Sequence, residues 1–274
     1  MKRILLILAI IIPINNINAQ SLGKERVDRL KHSVVQILIG GHPSGTGFFI
    51  SEDLILTCYH VVSSASTTNK ISIRFADGET IGVPGIATEN LKQMTQTVAY
   101  DFCLIGINHK PKQKVIPLKI TSFKDIDEGD AVYTCGYPQG IPQQFISSGI
   151  LSTKYIDKFN KARIPQSKTD TIVPRQSAWL DLTMNRGNSG GPIIKLGKTA
   201  EEDRVVGIAT FILNPFAQKA EDILMRSADY GKGLQIMGID QSESVQLFSL
   251  AIANSSMGIS GCISIDYFLN MYGR

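Results

Sequence analysis

The stretch Asn185-Arg186-Gly187-Asn188-Ser189-Gly190-Gly191-Pro192 sets one hydroxyl among glycines and amides. A serine in such a string has an exposed Oγ, and the glycines leave neighbouring backbone N–H groups free to converge on one point. Nucleophilic catalysis by serine needs both, an attacking oxygen and donors for the negative charge that attack creates. An ordinary Gly-rich turn has the same composition. The rest of the chain must therefore decide.

Two arrangements could use this serine. In a G-x-S-x-G elbow a helix follows the serine, and the partners come in the order Ser, acid, His. Here all four histidines (His32, His42, His60 and His109) precede Ser189, and Pro192 interrupts the required helix. That arrangement is excluded. The order His, Asp, Ser remains open. His60 is the best base, because it ends the apolar run Leu54-Ile55-Leu56-Thr57-Cys58-Tyr59-His60-Val61-Val62. Eight aspartates lie between His60 and Ser189, and only Asp101 leads directly into a wholly apolar run, Phe102-Cys103-Leu104-Ile105. A carboxylate held at a strand start can orient an imidazole and stabilise its cation. Asp77 stands before Gly78 in a turn, whereas Asp125, Asp127 and Asp130 share a solvated loop.

The 274 residues are 43% hydrophobic and 19% charged, which excludes a disordered chain, a collagen-like repeat and a coiled coil. The formal charge is +4, and Lys2 and Arg3 contribute two of those positive charges. They precede an apolar run, Ile4 to Ile12, that is too short for a bilayer but suits an export signal ending near Ala19. Export to the periplasm or beyond is expected, with residues 1–19 as the signal. No basic excess then remains to attract nucleic acid. The cluster of Lys110, Lys112 and Lys114 around Pro111 reads as a solvated loop. Cys58, Cys103, Cys135 and Cys262 show no C-x-x-C pairing and read as buried thiols, although an exported chain could oxidise a pair. Scattered histidines and no H-E-x-x-H argue against a metal site.

From residue 34 the chain is a series of short strands with Gly, Asn and Pro punctuation. The first run comprises Val34 to Ile39, Gly47 to Ile50, Leu54 to Thr57, Ile71 to Phe75 and Phe102 to Ile107. The second comprises Ala131 to Cys135, Gly149 to Ser152, Trp179 to Leu182, Pro192 to Ile194 and Val205 to Ile212. Two such runs predict an all-β protein of two barrels or sandwiches. Residues 213–255 break the texture. Asn214 and Pro215 open a helix with Phe216, Ala220, Ile223 and Leu224 on one face, ended by Gly231. Asp240 to Ala253 predicts a second amphipathic helix with Val245, Phe248 and Ile252 on one stripe. Strand texture returns at Gly258 to Ile265, and a short helix over Asp266 to Met271 closes the chain.

Taken in order, these motifs resemble the trypsin-like serine proteases of the chymotrypsin fold, and most closely the bacterial HtrA/Deg branch. The likeness rests on Gly45-Thr46-Gly47-Phe48-Phe49, Leu56 to Val62, Asp101 to Ile105, Gly129-Asp130, Gly136-Tyr137-Pro138 and Ser148-Gly149-Ile150. It continues through Asp181 to Pro192 and Val206-Gly207-Ile208, so that it spans roughly residues 34–212 and resumes near Gly258 to Phe268. It implies two six-stranded β-barrels, one about 30–110 and one about 115–274, within a protease domain over 20–274. It also implies His60 as general base, Asp101 as its orienting acid, Ser189 as nucleophile, and the N–H groups of Gly187 and Ser189 as oxyanion donors. Proteins or peptides would be the substrates, cleaved through an acyl-enzyme with no cofactor or metal.

Several features depart from that family. HtrA proteins usually carry a PDZ domain after the protease, and none is expected here. About forty inserted residues follow Ile212, and residues 153–177 read as a long Lys-rich loop. By the resemblance, Thr183 to Asn188 and Ala209 to Leu213 wall the specificity pocket. The substrate-binding candidates are thus Thr183, Ala209, Thr210, Phe211 and Ile212. No carboxylate sits at the pocket base, so a small or medium apolar residue is expected before the cut, with Ile212 narrowing the entrance. A glutamate-specific enzyme would want a histidine in the strand after the nucleophile, and none is there. Asn188 stands where digestive relatives have the Asp that pairs a newly cut N-terminal ammonium, so no such cleavage is expected. Order of the oxyanion turn would come instead from 137–145, 153–177 or 213–255. A catalytically silent peptide-binding module of the same fold is the competing reading.

Overall fold

The computed structural model describes residues 22–66, 68, 70–83, 99–108, 110–160, 172–212, 217–227, 235–236, 239–253 and 258–272. The expected export signal, Asn214, Pro215, Phe216 and Gly231 lie outside the described residues. A helix, α1 (Lys24–Ser33), precedes a six-stranded antiparallel sheet. Its strands are β1 (Val34–Ile39), β2 (His42–Phe49), β3 (Leu54–Thr57), β4 (Ile71–Arg74), β5 (Thr80–Gly82) and β6 (Cys103–Gly106), with one helical turn, α2 (Tyr59–Val62), after β3. The spatial order is β5-β4-β1-β2-β3-β6. Among the described residues this sheet does not close, so the first expected barrel is a six-stranded open sheet there. Every residue of β1 is buried, Gln36 included, which explains why its apolar residues do not alternate with exposed polar ones.

The second half contains β7 (Ala131–Gly136), β8 (Phe145–Asn160), β9 (Ile172–Asp181), β10 (Pro192–Lys195) and β11 (Arg204–Ile212). Helix α3 (Ala217–Ser227), the short strands β12 (Gln235–Ile236) and β13 (Ile239–Asp240), and helix α4 (Gln241–Ala253) follow. The chain then runs through β14 (Ile259–Ser264) and α5 (Asp266–Tyr272). Strands β10-β11-β14-β9-β8-β7 close into a barrel, sealed by β7 against β10. Leu151, Leu180, Ile193, Val206, Ala209 and Cys262 fill it. Full burial of such aliphatic side chains stabilises the fold by roughly 1.5–3 kcal/mol each.

Two expectations need correction. Residues 153–160 and 172–177 are not loop: Thr153 pairs with Trp179 and the ladder continues outward to Asn160 opposite Ile172. Alternating Tyr155, Asp157, Arg175 and Ser177 suit that ribbon, whose Arg175–Asp157 ion pair crosses the two strands. In α4 the stripe of Val245 and Phe248 faces outward, Phe248 being 69% exposed, while Ser242 and Ser249 are buried. Helix α4 packs with α3, whose Ala220 is buried, so the small residues are covered while Val245, Leu247, Phe248 and Leu250 stay exposed. In α3 itself Ile223 is exposed. Among the described residues, no helix is long and apolar enough to cross a membrane.

Each end of the chain ties the two halves together. Arg26 of α1 reaches the second half, where its Nε donates to Asp203 Oδ2 at 2.7 Å. Asp203, with only 4% of its side chain exposed, also accepts from the Tyr133 hydroxyl at 2.9 Å and the Gly197 N–H at 2.7 Å. In return α5 sets Phe268 edge-on against Phe102, at 6.1 Å between ring centroids, beside β6 of the first sheet. All four cysteines are buried thiols without a disulfide. Burial holds Cys103 and Cys262 protonated, with pKa values pushed up to about 12.

Candidate active site

The first sheet supplies the candidate acid and the candidate base. His60 is the second residue of α2, directly after β3, and Asp101 stands two residues before β6, the partner strand of β3. Pairing of Leu54–Thr57 with Cys103–Gly106 therefore brings the two residues together across a sequence separation of 41. Asp101 accepts twice from the same residue: from the His60 backbone N–H at 3.0 Å on Oδ1, and from the ring Nδ1 at 2.7 Å on Oδ2. The carboxylate is 13% exposed and the imidazole 47%. Burial lowers the His60 pKa, but the hydrogen bond and charge of Asp101 outweigh it, and the net value lies above the ordinary imidazole. With Nδ1 held by the carboxylate, the neutral ring presents a lone pair at Nε2.

The second barrel supplies the serine. Ser189 lies in the turn between β9 and β10, and the turn is fixed by backbone on both sides. Gly190 N–H donates to Ala209 O at 2.8 Å, Ala209 N–H donates to Gly191 O at 2.9 Å, and Thr46 N–H donates to Ser189 O at 2.9 Å. Gly190 has φ of +86°, and a Cβ there would collide with the Thr46 carbonyl and the Thr57 hydroxyl. Only glycine lets the serine turn lie this close to β2 and β3. Ser189 Oγ donates to the Thr210 carbonyl at 3.4 Å and makes no hydrogen bond to His60.

Beside the serine, two N–H groups lack an acceptor among the described residues, those of Gly187 and Ser189, whereas Asn188, Gly190 and Gly191 donate to backbone carbonyls. The carbonyls in the same peptide units are pinned the opposite way, Arg186 O by Gln139 N–H and Asn188 O by Gly191 N–H. Because a trans peptide points C=O and N–H in opposite directions, those bonds aim both free donors away from the protein. The non-glycine residues with positive φ among those described are Asp101 (51°) and Gln139 (56°), and both belong to this site. Backbone strain of that kind collects where position matters more than stability.

Thr210 and Ala209 lie on β11 against the serine turn, and Thr183 is exposed two residues after β9. The side chains of Phe211 and Ile212 lie outside the described residues, although their backbone continues β11 opposite Gly261 and Ser260. Cys58, His60 and Asp101 offer ligand atoms within 4.8 Å of one another. The donor set does not suit a metal: Cys58 gives its Sγ–H to Ala209 O at 3.3 Å, and burial and the Asp101 charge push its pKa well above the usual thiol. Reading the sequence gave no role to Thr46, Gln139 or Cys58. The Thr46 hydroxyl is wholly buried beneath the serine turn, and its only sequence signal is the pair of glycines around it.

Comparison with known proteins agrees with this geometry. The profile of the trypsin-like peptidase domain matches residues 45–208. A probable periplasmic serine endoprotease, DegP-like, from Rickettsia conorii is 31% identical over 198 residues, covering 71% of this chain and 32% of that one. Serine protease HTRA3 of Mus musculus is 30% identical over 200 residues, covering 67% and 38%. The chain thus spans about a third of the length of these curated relatives. Among solved structures, the HtrA-type protease AlgW with a tripeptide superposes with a TM-score of 0.57 at 18% identity, covering 89% of this chain and 60% of that one. The inactive form of the Rv3671c protease superposes with a TM-score of 0.56 at 18% identity, covering 91% and 93%. A closed β-barrel beside a six-stranded sheet, the His–Asp pair across β3 and β6, and a profile match over more than half the chain lead to one assignment: the chain belongs to the trypsin-like peptidase family, where its relatives are of the HtrA and DegP type.

Proposed function

We propose that this protein is a serine endopeptidase that cleaves peptide bonds through His60, Asp101 and Ser189. The observation that carries the reading is the double hydrogen bond of Asp101 to His60 beside a serine turn with two unsatisfied N–H donors. Ser189 Oγ leaves the Thr210 carbonyl by rotation about χ1 and passes its proton to His60 Nε2 as it attacks the substrate carbonyl. Asp101 stabilises the imidazolium that forms. The Gly187 and Ser189 N–H groups receive the oxyanion, and His60 then returns the proton to the leaving amine. Water repeats the sequence on the acyl-enzyme.

Substrates are proteins or peptides with a small or medium apolar residue before the cut. Thr183 and the β11 segment Ala209 to Ile212 carry no charge that could pair a buried Arg, Lys or Glu. An enrichment of charged residues at that position in a peptide-library profile would refute this. Export, with residues 1–19 removed, fits the apolar run Ile4 to Ile12 and the periplasmic description of the DegP-like relatives. The protease unit is 20–274, with the halves meeting near residues 110–115. The 3.4 Å bond from Ser189 Oγ to Thr210 O is the one observation that favours a silent peptide-binding module, since the nucleophile is not aimed at its base. A fluorophosphonate probe decides between them: labelling of wild type and none of Ser189→Ala supports the peptidase, and no labelling of either supports the silent module.

A further inference from the structure

The two proposed oxyanion donors flank a middle peptide, Gly187–Asn188, and one side chain holds it. Thr46, in β2 of the other half of the molecule, donates its Oγ1–H to the Gly187 carbonyl at 2.6 Å. The same oxygen accepts the Tyr137 N–H at 3.1 Å, and the Thr46 backbone N–H holds Ser189 O at 2.9 Å. Thr46 thus grips the turn on both sides of Asn188 and ties it to the 137–140 segment. Two residues on, Gln139 N–H pins Arg186 O at 2.5 Å and so fixes the direction of the Gly187 N–H. Thr46 is itself anchored, since its carbonyl accepts the buried Thr57 hydroxyl at 2.6 Å. The hydroxyl gives its one proton to Gly187 O and accepts the Tyr137 N–H, and with Thr46 wholly buried it has no proton to offer a substrate.

The segment that receives this clamp is braced from the junction of α1 and β1. The Gln144 side-chain amide donates to Val34 O at 2.9 Å and Leu30 O at 3.3 Å, and the Tyr137 hydroxyl donates to Val34 O at 3.5 Å. Asn188, where digestive relatives use a buried ion pair, has its Oδ1 buried without a partner. The side chain of Asn188 therefore does not order the turn by an acceptor bond, and the hydroxyl of Thr46 occupies the place where order is needed.

We infer that Thr46 is the positioning residue of the oxyanion hole, its hydroxyl locking the Gly187–Asn188 peptide so that both donors stay aimed at the substrate carbonyl. The inference rests on the peptidase reading for its catalytic consequence, but the locking itself does not. Thr46→Val keeps the shape and removes the hydroxyl, leaving Gly187 O and Tyr137 N–H without a side-chain partner, whereas Thr46→Ser keeps the bond.

The test measures amide hydrogen exchange in the Ser189→Ala chain, where no catalysis is needed, together with kinetics in the active chain. Thr46→Val should speed exchange at Asn188 and Gly191 at least about tenfold, with Ile193 and Val206 in the barrel unchanged, and Thr46→Ser should match the parent. In the active chain Thr46→Val should lower kcat and the affinity for a peptide boronate, a tetrahedral mimic, by about 10- to 100-fold alike. The Kd of the peptide on Ser189→Ala, Thr46→Val should stay within about twofold. Unchanged exchange in the turn overturns the inference. So do a general rise across the barrel, a Thr46→Val chain that does not fold, or a serine variant as impaired as the valine one, since each marks a merely structural residue. Absence of fluorophosphonate labelling in wild type instead sinks the peptidase reading, while the exchange result still decides whether Thr46 locks the turn.

Discussion

The two halves of the site are held by different forces. On the first sheet, the Asp101 carboxylate holds His60 by two hydrogen bonds, one from the backbone N–H and one from the ring, and an ionised acceptor strengthens both. On the second barrel, the serine turn is held almost wholly by backbone bonds, and the serine hydroxyl has one long bond to the Thr210 carbonyl. His60 is thus held through its own side chain, whereas Ser189 is fixed only in the position of its Cα. Its hydroxyl remains free to turn. A site divided in this way fixes the costly geometry in advance and leaves a single rotation for the substrate to complete.

The sharpest way to break the comparison is Ser189→Ala. It should lower kcat by about a million-fold, the scale seen when a nucleophile is removed from such a triad, while the melting temperature stays within about 2 °C because one long hydroxyl bond contributes little. Single-turnover assays and thermal melts on the same preparation check both parts. Residual turnover within a hundredfold of wild type would mean that another group attacks.

Asp101→Asn tests the preset half. It should lower kcat by about 10⁴, and it should also move the pH profile. His60 acts as base only when neutral, and its pKa lies above the ordinary imidazole because of Asp101, burial acting in the opposite direction. Activity of wild type should therefore be lost as the pH falls through a value above about 6.5. In Asp101→Asn the raising influences are gone, so the residual activity should persist to lower pH. An acidic limb that stays in place after the substitution would separate the pKa of His60 from Asp101.

A smaller effect is expected where the halves are joined. Arg26→Ala leaves Asp203 buried with only the Tyr133 hydroxyl and the Gly197 N–H as partners. Removing one member of such a pair costs about 3 kcal/mol, read as a lower urea midpoint, with kcat unchanged at temperatures where the chain stays folded. A loss of kcat without a loss of stability would show that α1 acts on the site directly. The smallest effect should come from blocking the N-terminus of residues 20–274 with an added segment, which should change kcat/KM by less than about twofold. Asn188 cannot balance a buried ammonium, so no new N-terminus is needed. Activity that returns only after a defined cut would contradict this.

How far the sequence reaches is visible residue by residue. Strands β1, β3, β7 and β10 stand close to where short apolar runs predict them, because a strand buried on both faces announces itself by composition. His60 and Asp101 became candidates for a different reason, since each sits beside such a run where the chain can present a polar group, whereas Ser189 was singled out by the glycines and amides around it. The ribbon beyond Thr153 was not legible, since its two arms pair with each other and most of their described side chains stay partly or wholly exposed, so no long apolar run marks them. Helix α4 misled because Phe248 and Val245 share a stripe, yet in the helix pair the buried residues are the small ones, Ser242, Ser249 and Ala220.

The sequence by itself determined the class of fold, the exclusion of the elbow arrangement through Pro192, and the candidates for base, acid and nucleophile. Those follow from local rules of burial, backbone freedom and residue chemistry that act over a few positions. Only the tertiary structure decided that Asp101 accepts twice from His60, that Ser189 turns toward Thr210, and that Thr46 reaches across from β2 to hold Gly187. The reason is physical. A hydrogen bond between residues 141 positions apart depends on how two β layers dock, and no local pattern of the chain encodes that distance.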